Sequence, residues 1–308
     1  MPVHDGERWL EATLASAAAE DCRGIEFILI DSSASGSAGC RAIADSFAGR
    51  LDIRYQHRRD VLPWTAKTNL AVQQARAPHV AMLHQDDLWL SGRVADVRRA
   101  IEEHPDAALM LNPSQIVDQD GRELGIWRCP LPAARPLPAE SLAARLLVQN
   151  FVAIPAPVVR RDAWIAAGGL DEALWYTADW DLYLKLARQG AAVYRDSVTT
   201  AFRIHGGSLT VKGSANKADF ADQMARVIDR HIDLAPPATR EAIRRRALAS
   251  TAVNCALAEA MGGNARALVG AFLSLLRLGP VGTYRYVRDS RIIDRALPRL
   301  RARFAGAL

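Results

Sequence analysis

The chain has 308 residues, half of them apolar, and a formal net charge of +5. It has enough apolar material for a large core, as one domain or as a domain with an appendage. Its cysteines, Cys22, Cys40, Cys129 and Cys255, are scattered without a CxxC pair, which argues against a zinc site or a disulfide framework and fits a reducing compartment. No signal-peptide pattern is visible at the N-terminus, and no apolar run reaches the roughly 18 to 20 residues of a spanning helix. The richest run, Ala267 to Leu278, contains Arg277. Charge is uneven: from Arg240 to Leu308 there are thirteen arginines and four acids, a net +9 that leaves −4 for the rest.

In chain order, Glu7 to Ala19 is expected as a helix with Leu10, Leu14, Ala17 and Ala18 on one face and Asp5 as its N-cap. Ile25 to Ile30 is a short, nearly continuous apolar run, the pattern of a buried parallel strand. Leu51 to Tyr55 is a second strand, and Thr65 to Ala75 a helix ended by Pro78. Val80 to Leu83 is a strand, followed by an amphipathic helix from Gly92 to Glu103. Ala107 to Val117 is a strand leading into a hairpin turn at Asp118-Gln119-Asp120-Gly121. A proline-rich loop, Pro130 to Pro138, precedes a helix from Ala139 to Gln149. Phe151 to Val159 is extended, and Pro155 and Pro157 mark it as an edge or irregular strand. Ala178 to Arg188 is a helix ending at Gly190, and strands Ala191 to Tyr194 and Val198 to Arg203 follow. From Lys217 the chain reads as successive helices broken at Pro236-Pro237, Gly262-Gly263 and Gly279-Pro280. The alternation predicts an α/β fold with a mostly parallel sheet, whose ligands bind beyond the carboxyl ends of the strands. Asp31, Asp86, Asp87 and His205 all fall at such ends.

The most informative stretch is Leu83-His84-Gln85-Asp86-Asp87-Leu88-Trp89. Adjacent carboxylates at a strand end repel and raise each other's pKa. A divalent cation resolves that conflict, and oxygen ligands suit Mg²⁺ or Mn²⁺. The other reading is a solvated acidic turn that caps the next helix. Two later segments, Thr177-Ala178-Asp179-Trp180-Asp181 and Arg203-Ile204-His205-Gly206-Gly207-Ser208, favour the cation.

With Pro2-Val3-His4-Asp5-Gly6-Glu7, Ile30-Asp31-Ser32 and Gly168-Gly169-Leu170-Asp171-Glu172, these segments resemble an inverting, family 2 type glycosyltransferase with the GT-A fold, a Rossmann-like sheet with flanking helices. The resemblance covers roughly the first two thirds of the chain. It implies a glycosyltransferase domain over residues 1–214, with a basic helical region over 215–308. It implies that Asp31 accepts hydrogen bonds from the nucleotide base, its alternative being a helix or turn cap, that Pro2, Val3 and His4 line the base and ribose pocket, and that Lys67 pairs with base or phosphate, its alternative being a solvated helix lysine. Asp86 would contact ribose or metal, Asp87 would hold the Mg²⁺ or Mn²⁺, and His205 would complete the metal or diphosphate site. Asp179 would be the general base, its alternative being a helix N-cap. Trp175, Tyr176 and Trp180 would form an acceptor platform or belong to the core.

The chain departs from the family pattern at His84-Gln85 before the acid pair, at Ser32 after Asp31 and at Ala178 before Asp179. The apolar strand that normally precedes the Pro2–Glu7 segment is absent, which implies a start of translation upstream of Met1. The partners implied are a nucleotide-diphosphate sugar donor and a glycan or lipid-linked acceptor of bacterial surface polysaccharide synthesis. The location implied is cytoplasmic, with the arginine-rich helices either at the inner membrane face or forming a solvated cap. The alternative is a non-catalytic, nucleotide-sugar-binding scaffold on a degenerate site. Nucleic acid is not expected, because the basic tail lacks interleaved aromatics. A dehydrogenase or nucleotidyltransferase is disfavoured: no GxGxxG follows the first strands, and Gly207 to Gly213 is not a P-loop.

Overall fold

The computed structural model describes residues 1–34, 38–133, 135–208, 216–261 and 263–304; most of the Gly207 to Gly213 segment lies outside them. The N-terminal layer is a parallel sheet of β1 (Pro2–Val3), β2 (Glu26–Asp31) and β3 (Asp52–His57), in that order. β2 is apolar and buried on both faces, as a central parallel strand must be. Helix α1 (Glu7–Ala18) covers it through Leu10, Leu14 and Ala17. Helix α2 (Ala38–Ser46), not anticipated from the sequence, adds Cys40 and Ala44 to the same cluster. Burying each leucine stabilises this layer by about 2 kcal/mol.

A stub of the first strand is present where none was expected: Pro2 and Val3 pair with Ile30 and Asp31. β1 does not continue to the next sheet, which runs β4-β10-β6-β11-β9. Helix α3 (Trp64–Gln74) leads into β4 (His79–Ala81), and the tract from Met82 to Asp87 is irregular. Strand β5 (Leu88–Trp89) and helix α4 (Arg93–Glu103) follow. The strand expected over Ala107 to Val117 divides into β6 (Leu109–Leu111) and β7 (Ser114–Val117). Pro113 lies at the break and has no N–H for a ladder. β7 forms the expected hairpin with β8 (Glu123–Trp127). Asp118 Oδ1 accepts from the backbone N–H of Asp120 (2.8 Å) and Arg122 (2.9 Å), and Gly121 takes φ +84°. The third sheet is β5-β12-β7-β8.

β9 (Pro136–Leu137), helix α5 (Ala139–Leu146), β10 (Val158–Arg160) and helix α6 (Arg161–Ala166) come next. β10 is not at an edge; it lies between β4 and β6 and is antiparallel to both. Pro155 and Pro157 precede it, so their missing donors fall outside the ladder. Helix α7 (Ala178–Leu186), β11 (Ala192–Tyr194) and β12 (Thr200–Arg203) complete the α/β part. The helices α8 (Lys217–His231), α9 (Arg240–Met261), α10 (Ala267–Leu276), α11 (Gly279–Ser290) and α12 (Ile292–Phe304) follow. They pack onto the sheets. Phe220, Met224 and Val227 of α8 share a buried cluster with Leu142, Leu182 and Tyr183. Ser250 and Asn254 of α9 donate to Gln149 Oε1 at 2.8 and 2.7 Å. Ala302 of α12 is buried with Ile116 and Trp127.

Candidate active site

A cleft of about 1030 Å³ opens across the irregular Met82–Asp87 tract, the start of α7 and the C-terminal helices. Its walls include Pro2, Val3, His4, Lys67, Asp86, Asp87, Asp179 and His205. Asp5 is not the N-cap of α1. It has φ +46°, its N–H donates to Ser33 Oγ (2.8 Å), and Gly6 takes the cap position.

His84, Asp86 and Asp87 bring one ligand atom each to within 4.8 Å of one another. Asp87 is almost fully buried; Oδ1 accepts from the Arg203 N–H (3.0 Å), while Oδ2 has no partner. Burial, and then the Asp86 charge, push its carboxyl well above the usual range. Asp86 goes the other way. Burial opposes its charge, but His205 Nε2 at 3.0 Å and the nearby His84 hold it below the ordinary value. Burial lowers the His84 imidazole to about 4, so it is neutral at pH 7, and its buried Nε2 has no partner. A neutral imidazole nitrogen, an ionised carboxylate and a carboxyl with an orphaned oxygen form a donor set suited to a divalent cation. His84, a departure from the family pattern, is thus the group placed with the acid pair. His205 contacts Asp86 and stacks on Trp9 at 5.3 Å. Arg203 was missed in the sequence. It ties the acid loop to the β7–β8 turn, donating to Asp86 O (2.8 Å) and to Asp118 and Gln119 O (both 3.1 Å).

The expected nucleotide pocket is partly redrawn. His4 Nδ1 lies 3.1 Å from Ser32 Oγ, and Lys67 Nζ donates to Val3 O at 2.7 Å. Burial lowers the Lys67 ammonium to about 8. Asp31 is fully buried and absent from the cleft wall. Its carboxylate accepts from Tyr55 Oη–H and from Ser33 N–H (2.8 Å) and Oγ–H (2.5 Å). As placed, it braces the loop after β2 and is not exposed to a base.

Asp179 sits in the first turn of α7, but Thr177 occupies the N-cap. Asp179 Oδ2 accepts from Asn150 Nδ2 (3.1 Å) and Oδ1 from the Trp180 N–H (2.8 Å). Burial pushes its carboxyl up to about 6 despite these bonds. The result is a fixed carboxylate on a cleft wall, ionised at pH 7 and more basic than an ordinary aspartate. Trp175 donates its indole N–H to Asp219, and Tyr176 stacks on Phe220 at 4.5 Å. Trp180 is buried, with its indole N–H on Leu146 O (2.7 Å), and forms cleft backing in place of an exposed platform. Asp181 is in a separate buried network with Lys185 (2.6 Å), Arg230 (2.8 Å) and His231 (2.9 Å). Arg295 and Arg299 of α12 also line the cleft, and no local motif announced them.

Residues 1–150 match the family model "Glycosyl transferase family 2". A curated relative, an uncharacterized glycosyltransferase of Rickettsia bellii (strain RML369-C), is 22% identical over 222 residues. That alignment covers 71% of this chain and 31% of the relative, so the chain spans under a third of the relative's length. S. aureus TarS 1-349, solved with UDP-GlcNAc, superposes with a TM-score of 0.65 at 18% identity, covering 81% of this chain and 70% of that one. The mannosyltransferase PcManGT of Pyrobaculum calidifontis, solved with GDP-Man and Mn²⁺, superposes with a TM-score of 0.57 at 15% identity, covering 94% and 83%. The chain therefore has the GT-A fold, and its match to the family 2 model is confined to residues 1–150.

Proposed function

We propose that the protein is a metal-dependent, inverting glycosyltransferase that moves a sugar from a nucleoside-diphosphate donor to a hydroxyl of a glycan or lipid-linked acceptor, in the assembly of a bacterial surface polysaccharide. The observation that carries this reading is one cleft lined by both the His84, Asp86 and Asp87 cluster and the raised carboxylate of Asp179. The glycosyltransferases of similar fold that were solved with UDP-GlcNAc or with GDP-Man and Mn²⁺ support a nucleotide-sugar donor. In this reading residues 1–214 are the catalytic unit, and residues 215–308 complete one end of its cleft.

His84, Asp86 and Asp87 would hold the cation, and a nitrogen ligand favours Mn²⁺ over Mg²⁺. Bound there, the cation supplies Lewis-acid stabilisation of the departing diphosphate. Pro2, Val3, His4 and Lys67 enclose the nucleotide. Asp179, oriented by Asn150, accepts the acceptor's hydroxyl proton as that oxygen bonds to the anomeric carbon. The bond from that carbon to the diphosphate breaks on the opposite face, its electron pair leaving with the diphosphate, so the configuration inverts. The non-catalytic alternative gives no role to the raised carboxylate that Asp179 presents on the same cleft wall.

The exposed side chains Val269, Phe272 and Leu276 of α10 and Val281 of α11 lie among exposed Arg277, Arg285 and Arg288. This combination fits peripheral attachment to anionic lipid at the inner membrane face. Among the described residues no single helix is long and apolar enough to cross a membrane.

The test is release of nucleoside diphosphate from UDP-, GDP- and dTDP-sugars by the purified protein with Mn²⁺. Turnover of one donor that EDTA abolishes is expected. Absence of turnover with every donor, together with tight nucleotide binding, would favour the scaffold.

A further inference from the structure

We propose that Arg295 and Arg299 form an oxyanion subsite at the acceptor end of the cleft, so that the acceptor carries a phosphate or carboxylate close to the hydroxyl that reacts. This rests on the glycosyltransferase reading and adds the substrate's chemistry to it. Helix α12 is fixed against β8: Ala302 is fully buried, and Arg301 Nη1 donates to Leu124 O at 3.0 Å. One turn apart on that helix, both guanidiniums lie over the Trp127 ring, at 4.9 and 5.6 Å. Arg295 is only 7% exposed, and its Nε and Nη1 have no hydrogen-bond partner. Among the described residues neither arginine forms an ion pair; Arg295 is helped only by Tyr176, Tyr286 and the Asp179 charge.

Two like charges, one of them nearly buried, over one aromatic ring are costly, and cation–π contact offsets only part of the desolvation of a buried charge. Stacking alone also leaves the open donors of Arg295 unexplained. An oxyanion is the strong acceptor that such charged, open N–H donors call for. Position argues for the acceptor over the donor. The charged and polar neighbours of Arg295 are Tyr176, Tyr286 and Asp179, whereas Asp86 and Asp87 act on Arg203. The donor's diphosphate would meet its cation at the other end.

The experiment is calorimetry on the full chain holding Mn²⁺ and, at saturation, whichever of UDP, GDP and dTDP it binds, so that the donor's phosphate site is filled. The probes are glycerol 1-phosphate and glucuronate, with glycerol and glucose as neutral controls. Wild type is expected to bind one charged probe and neither neutral one, and the probe that binds separates phosphate from carboxylate. Arg295→Gln should weaken that binding at least about tenfold, or 1.4 kcal/mol. Arg299→Gln should weaken it less, and Arg295→Lys, which keeps the charge but loses the guanidinium's fixed donors, should fall between Arg295→Gln and wild type. The ligand-free melting temperature of Arg295→Gln should stay level or rise, because an unpaired charge is removed; a purely structural arginine would lower it. Equal binding by wild type and Arg295→Gln overturns the proposal, as does failure of nucleotide-loaded wild type to bind either charged probe. Failure of the donor reading shows separately, as no nucleotide binding. The probes are then titrated onto the free chain, where Arg295-dependent binding still upholds the subsite and its absence refutes it.

Discussion

At one end of the cleft Asp87 buries a carboxyl whose Oδ2 has no partner; at the other, Arg295 buries a guanidinium whose Nε and Nη1 have none. The acid end relieves part of its conflict internally. Asp86 stays ionised against His205, and Asp87 is driven towards its neutral form. The arginine end has no such route, because a guanidinium does not give up its proton in a protein. The acid end can therefore persist without ligand at modest cost, whereas the basic end keeps its full charge over Trp127 until an anion arrives. Between them stands Asp179, whose proton affinity is raised by the same burial.

Replacing Asp179 with Asn should have the largest effect, lowering sugar transfer by about 10² to 10⁴-fold with nucleotide affinity nearly unchanged. Rate and affinity falling together would mean that Asp179 belongs to the donor end. In wild type the rate should fall as pH drops through about 6, where Asp179 takes up its proton. Its folded-state pKa lies above the ordinary 3.8, so the fold favours the protonated form. The associated stability is present below about pH 4 and lost as pH rises through about 6, on the order of 1–3 kcal/mol. Asp179→Asn should lack this slope in urea titrations between pH 4 and 7.

Asp87→Ala should come next, weakening divalent-cation binding by roughly 10- to 100-fold, comparable to the loss of a metal-site partner. The cation-free protein should melt close to wild type, since relief of the buried, Asp86-facing carboxyl offsets loss of the bond that its Oδ1 accepts from the Arg203 N–H. A lower melting temperature without metal would show that the acid end is structural. A smaller effect separates the membrane surface from both ends. Phe272→Asp should abolish co-flotation with anionic vesicles and leave donor turnover intact; wild type that fails to float removes the membrane role. The smallest change is Gly125→Ala on β8. Its new methyl would lie 3.0 Å from Pro298 Cγ and should displace α12 slightly. The expected cost is about 1 kcal/mol, with a shift at the arginine end and none in cation binding.

The acid end was legible because its ligands are contiguous: His84, Asp86 and Asp87 follow one strand, and adjacent acids are a local anomaly. Even there, His84 read as a departure from pattern, since only the folded loop shows its Nε2 buried without a partner. Asp31 read either as a base-binding acid at a strand end or as a turn cap, and Ser33 in the local turn and Tyr55 on the neighbouring strand take up both its oxygens. Asp5 had the composition of a cap and instead took a left-handed conformation. The arginine end was not legible. Arg295 and Arg299 lie more than a hundred residues after Asp179, in a tail with thirteen arginines, and composition does not tell a buried one from a solvated one. Strand β10 was misplaced for a related reason: prolines that precede a strand look, in sequence, like prolines within it.

The most direct test of the central claim is calorimetry of UDP, GDP and dTDP binding, with Mn²⁺ and with EDTA, to wild type and to Asp87→Ala at pH 7. One nucleotide should bind wild type only with the cation, with protons released as Asp87 ionises, and should bind Asp87→Ala at least tenfold more weakly. Binding that is equal in EDTA, or unaffected by Asp87→Ala, would contradict a cation site at His84, Asp86 and Asp87 and the mechanism built on it.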